Sequence, residues 1–154
     1  MRRWILLAIP AAVVALPILA FVILSLFSRR PSNLGVANGR LAPCPASPNC
    51  VATQSGAGEQ RMAPLPFHGS PAEAMARLKQ TLQGMPRTRI VTADESYLHA
   101  EFVSALFRFV DDVEFLIDPE ARMIHFRSAS RVGYSDLGAN RRRMVVILNA
   151  FCKQ

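Results

Sequence analysis

Six side chains capable of chemistry fall at strand spacing in the second half of the chain: His99, Glu101, Asp112, Glu114, His125 and Arg127. A period of two residues places them on one face of three consecutive extended segments. Imidazoles beside carboxylates suit general acid–base catalysis. That is the basis of the alternative reading of this chain, a hydrolase-like enzyme using His and carboxylate residues on an exposed sheet face. The commoner use of such a pattern is cross-strand charge pairing on a solvated face, which is the expectation adopted. Ser128, Ser130 and Ser135 with His99 or His125 and Asp136 also invite a nucleophile–base–acid reading, but no Gly-x-Ser-x-Gly elbow accompanies them. Asp111 and Asp112 suggest a divalent cation; a turn or an ion pair with Arg108, Arg127 or Arg131 is the expected use. No catalytic residue is assigned, and the chain is read as leaning away from enzyme function.

A second constellation lies between residues 127 and 143. Arg141, Arg142 and Arg143 fall at the start of the last helical segment, where the helix dipole disfavours cations by ~0.3–1 kcal/mol each. Something negative should offset them. Internal pairing with Asp111, Asp112 and Asp136 is one answer, with Arg142 left in water. A bound anion is the other, held by helix N-terminal amides, arginine forks and serine hydroxyls. The candidate ligand-binding residues are therefore Arg127, Ser128, Ser130, Arg131, Ser135, Asp136, Asn140 and Arg143.

These residues need a scaffold. Ser70-Pro-Ala-Glu73 has the form of a capping box with proline at the first helical position, and Met75, Leu78 and Leu82 follow at helical spacing until Gly84. Arg89–Ala93, Tyr97–Val103, Phe107–Ile117 and Met123–Ser130 read as strands, and a helix with Met144, Ile147, Leu148 and Phe151 as its stripe runs from Gly138. Short links favour antiparallel pairing. The expected fold is α+β: an antiparallel sheet of about four strands with two helices on one face and polar side chains on the other. The domain plan is 1–30 as an N-terminal transmembrane anchor with basic flanks, 31–69 as a Pro/Gly/Ser-rich tether and cover, and 70–154 as the α+β domain.

The anchor rests on Trp4–Phe27, 24 charge-free residues of which 21 are apolar. As a helix this run is ~36 Å long, enough for a ~30 Å bilayer core. It exceeds a signal-peptide core, and no clean small-x-small cleavage site precedes Arg29-Arg30. Arginines flank both ends, so charge alone leaves the orientation undecided. The whole chain has 154 residues and a net charge of +7. Four of its 18 basic residues flank the apolar run, and no basic patch interleaved with aromatics appears, so nucleic acid is not an expected partner.

Cys44 and Cys50 bracket a stretch stiffened by Pro43, Pro45 and Pro48. A disulfide is favoured, which implies an oxidising compartment; the alternative is two inert thiols. The spacing does not suit zinc, and no phosphate-binding glycine loop occurs, so no metal or cofactor is expected. Cys152 is expected to be unpaired and packed under the last helix.

Three stretches carry a resemblance: Cys44-Pro-Ala-Ser-Pro-Asn-Cys50, Phe107-Arg-Phe-Val-Asp-Asp-Val-Glu-Phe115, and the long run from Arg127 through Gly133-Tyr-Ser-Asp-Leu-Gly-Ala-Asn140 to Arg141. Together they resemble the uncharacterised bacterial and plastid family catalogued as domain of unknown function 1499, over about residues 40–152. The resemblance implies one domain, often carried behind an export signal or membrane anchor, and no catalytic residue. The expectation for function is a membrane-anchored cell-envelope domain, single-pass, with its C-terminal part on the extracytoplasmic (periplasmic) side. It would sit on the lipid bilayer and serve as a binding or accessory module for an envelope protein partner or an anionic ligand.

Overall fold

The structure, a computed structural model, describes Val13, residues 19–25 and residues 28–153. Three strands with alternating apolar side chains form its centre. β6 (Tyr97–Val103), β7 (Val110–Asp118) and β8 (Met123–Ser130) pair antiparallel, with Phe115 directly opposite Phe126. The β7–β8 turn is closed by Asp118, whose Oδ1 accepts the Glu120 and Ala121 N–H groups at 3.0 and 2.9 Å. β5 (Thr88–Ala93) adds to β6 with a bulge between Ile90 and Thr92.

The sheet has six strands rather than four. The additional two come from the segment expected to be tether and cover. β3 (Cys50–Ala52) pairs with residues 127–129 of β8, and β4 (Leu65–Pro66) pairs with its start at Met123 and Ile124. Both are too short to show a period, which is why composition masked them. A separate two-stranded hairpin, β1 (Val36–Ala37) and β2 (Arg40–Leu41), turns on Asn38-Gly39. Both turn residues have positive φ, 52° and 70°, the geometry that an Asn-Gly pair adopts most cheaply.

The two helices lie on one face, as expected. α1 (Pro71–Gln83) starts at a complete capping box: Ser70 Oγ accepts the Glu73 N–H at 3.2 Å, and the Glu73 carboxylate accepts the Ser70 N–H at 2.7 Å. α2 (Ala139–Cys152) buries Met144, Ile147 and Phe151. These side chains join Met75, Leu78 and Leu82 of α1 and Leu98, Phe102, Phe115 and Phe126 of the sheet in one core.

Residues 19–25 are helical. Most of the apolar run Trp4–Phe27, on which the transmembrane expectation rests, lies outside the described residues. Among the described residues no helix is long and apolar enough to cross a membrane.

Candidate functional site

The second face of the sheet differs from expectation in one respect that governs its chemistry. It is covered, not solvated. Residues 28–43 run across it as a strap that ends in the β1–β2 hairpin. Leu41 packs on Tyr97 and Leu116. Arg30 Nη2 donates to Glu101 Oε1 at 2.9 Å, and the Gly35 N–H donates to Glu114 Oε1 at 2.7 Å. Beneath the strap His99, Glu101, Asp112, Glu114 and Arg127 are all buried.

Charge is matched inside this layer by a connected network. The fork of Arg131 grips Asp112, with Nε 2.8 Å from Oδ2 and Nη2 2.7 Å from Oδ1. The same Nη2 donates to Glu101 Oε1 at 2.6 Å, and Arg89 Nη2 donates to Glu101 Oε2 at 2.6 Å. His99 Nε2 lies 2.8 Å from Asp112 Oδ1. One step along the sheet, Glu114 accepts from Tyr97 Oη at 2.8 Å and from Arg127 Nη1 at 3.0 Å. Among the described residues Arg127 Nε is buried with no hydrogen-bond partner. Cross-strand pairing is thus the use made of these residues, in a buried layer where each pair must be closely matched.

The titration behaviour follows. Burial alone would raise the Glu101 pKa, but hydrogen bonds from Arg89, Arg30 and Arg131 outweigh it and bring the carboxyl to about 2. Burial likewise opposes ionisation of Asp112, and Arg131 with His99 holds its carboxyl below the usual range. Burial and the neighbouring Glu114 charge push the Tyr97 phenol up. Hydrogen bonds to Asp112 lead the causes that raise Arg131. At the sheet's other end, His125 Nδ1 lies 3.2 Å from Thr53 Oγ1, and burial lowers its pKa against the pull of Asp118.

Donor atoms of His99, Glu101 and Asp112 lie within 4.8 Å of one another, a set that suits a divalent cation by type. Arg131 already fills that role, since one guanidinium nitrogen contacts both carboxylates. A metal ion would have to displace it.

The candidate ligand-binding residues do not form one site. Arg127 and Arg131 belong to the strap face. Ser128, Ser130, Asn140 and Arg143 lie on the helix face, joined around the buried Asn140: its Oδ1 accepts from Ser128 Oγ and Arg143 Nη1, both at 2.6 Å, and its Nδ2 donates to the Asn49 carbonyl at 2.9 Å and to Ser130 Oγ at 3.1 Å. Arg143 pairs with Asp111 and stacks over Phe102, 5.0 Å from the ring centre. Among the described residues Asp136 pairs with no arginine; its carboxylate accepts the N–H groups of Gly138 at 2.9 Å and Asn140 at 2.6 Å, supplying the negative charge this helix start needs. Ser135 Oγ accepts the Leu137 N–H. Arg142 donates to the Leu137 carbonyl at 2.8 Å. Ser128 and Ser130 are separated by the sheet from His99 and His125, so no serine triad forms.

Cys44 and Cys50 are disulfide-bonded. The loop they close is docked by Asn49, whose Nδ2 donates to the Gly133 carbonyl at 2.6 Å and whose carbonyl accepts the Ser130 N–H at 3.0 Å. Cys152 is free, as expected, but exposed rather than packed under the helix, because it follows the last buried position, Phe151. Arg30, Arg89, Tyr97 and Asn49 are absent from the candidates drawn from sequence, although Arg30 stands in the basic flank of the apolar run, Arg89 and Tyr97 begin two expected strands, and Asn49 lies between Pro48 and Cys50.

Fold and site together define an α+β domain built on one antiparallel sheet, with a helical core on one face and a buried arginine–carboxylate layer on the other. The chain belongs to the family described as "Protein of unknown function (DUF1499)", whose model matches residues 40–151. No curated protein and no solved structure matches it.

Proposed function

We propose that this protein is a single-pass, membrane-anchored domain of the cell envelope, with residues 31–154 on the extracytoplasmic side, acting as a binding or accessory module. The observation that carries the reading is the buried ion layer. Its carboxylates and His99 are consumed by internal pairs beneath the strap, so the most reactive-looking residues of the chain hold structure together. The strap follows the apolar run directly, and Arg30, three residues beyond Phe27, pins it to Glu101. The domain would therefore be held close to its anchor, as suits an accessory that presents a surface at the membrane. The disulfide accords with an oxidising compartment.

Of the two kinds of partner, protein is favoured over anion. Arg127, Arg131 and Arg143 are each neutralised by a carboxylate. The hydrolase alternative is disfavoured by the burial of His99 and by the placement of the serines across the sheet. The test combines alkaline extraction of native membranes with a reporter fused after Gln154, followed by crosslinking and identification of what is joined. Retention in the membrane and a reporter active outside the cytoplasm are expected. Release by alkali, or a reporter active only in the cytoplasm, overturns the reading. Hydrolase activity of the pure protein that His99→Gln abolishes would overturn its non-enzymatic part.

A further inference from the structure

Three apolar features gather at one end of the molecule. The β6–β7 hairpin carries Leu106, 79% exposed, at its tip, with Phe107 and Phe109 half-buried beside it. The helical residues 19–25 lie against that tip: Phe21 is 5.0 Å from Phe107 and 6.1 Å from Phe109, ring centre to ring centre. The loop from β8 to α2 presents Tyr134 and Leu137, 76% and 85% exposed. Strand register places hairpin and loop together, because Val103 pairs with Val110 and Asp111 with Ser130. Isolated exposed apolar residues are ordinary, but several at one pole, continuous with an exposed apolar helix, indicate a partner surface.

Charge is distributed in the same sense. Arg87, Arg108 and Arg142 are exposed at this end, and of the acids Glu59 alone is exposed near it. Five further acids, Glu73, Asp94, Glu95, Asp118 and Glu120, are carried by the turns and helix start of the opposite end, where they outnumber the basic Arg40, Lys79 and Arg122. Apolar side chains among arginines are what the headgroup region of a phospholipid bilayer accepts: rings and aliphatic chains enter the acyl boundary while guanidinium groups meet phosphates. The occupant is set by continuity. Phe21 belongs to the charge-free run Trp4–Phe27, so whatever solvates that run also reaches the hairpin tip.

We infer that the domain stands end-on on the bilayer, with the hairpin tip around Leu106 immersed in the lipid interface beside the anchor. This rests on the membrane-anchored reading above and adds to it a second, independent point of lipid contact. One consequence is that the acidic pole and the C-terminus of α2 face away from the membrane, leaving them open to a partner.

The test uses the full chain in phosphatidylcholine–phosphatidylglycerol vesicles. Cys152, free and exposed, ends α2, about 20 Å along that helix from its start near the lipid-facing pole. It serves as a natural reference site for an environment-sensitive thiol fluorophore. The second site is Leu106→Cys in a Cys152→Ser background, a substitution at a position exposed enough to leave folding intact. Lipids carrying a nitroxide high on the acyl chain should quench the probe at position 106, with blue-shifted emission, and leave the probe at Cys152 unquenched. Alkaline extraction of the same vesicles reads the anchor separately. A chain that resists alkali while position 106 stays unquenched, whether in water or covered by another copy, overturns this inference and leaves the anchor standing. A chain that alkali releases overturns both.

Discussion

Replacing Arg131 by Gln is the sharpest probe of the buried layer. Arg131 makes three hydrogen bonds to two carboxylates. Bonds to charged groups contribute ~1.5–3 kcal/mol each, which caps the loss at roughly 9 kcal/mol. The real loss is smaller. Glu101 keeps Arg30 and Arg89. Asp112, 1% exposed, keeps only the bond to His99 and is the stranded charge. Stranding one buried charge costs ~3–5 kcal/mol, a large part of the ~5–15 kcal/mol that holds a domain folded. Urea unfolding of the full chain in detergent, at neutral pH, measures it. The double variant Arg131→Gln with Asp112→Asn should recover more than half of the loss, because the amide needs no counter-charge. A single variant that loses under about 1 kcal/mol, or a double variant no better than the single, would refute the argument that Arg131 is there to neutralise Asp112. Stabilisation of the wild type by phosphate beyond a salt control, abolished in Arg131→Gln, would refute it from the other side by showing a ligand site.

Phe126→Ala removes a fully buried ring from the position directly opposite Phe115 in the ladder, and should cost ~3–5 kcal/mol in the same unfolding measurement. Alkylation of unreduced protein should label one thiol, Cys152, and Cys44→Ala with Cys50→Ala should cost about 2 kcal/mol, since the closed loop is short. Glu101 and Asp112 have folded pKa values below their unfolded ones, so the unfolded chain takes up protons first as the pH falls. Their contribution is complete above about pH 5 and is lost progressively as the pH falls toward about 2, a loss that Glu101→Gln should make shallower in a denaturant series across that range.

Much of this architecture is written locally. The capping box at Ser70 and Glu73, the alternation in Tyr97–Val103 and Met123–Ser130, the phase of Phe115 and Phe126, and the pairing of Cys44 with Cys50 each depend on residues a few positions apart, so a period or a spacing suffices to read them. Even the grouping of His99, Glu101, Asp112, Glu114 and Arg127 follows from strand parity. Whether that face meets water does not. The covering strap contributes Gly35 and Leu41, about 55 to 80 residues distant in sequence from what they touch, and a backbone N–H and one buried leucine have no periodic signature. The same holds for β3 and β4, three and two residues long, which become strands only because β8 offers an unpaired edge. The arginines divide in the same way. Sequence shows that Arg131 and Arg143 need anions; which carboxylate each receives is decided by the sheet, which sends Arg131 to Asp112 on one face and Arg143 to Asp111 on the other, two adjacent residues that a strand must point in opposite directions.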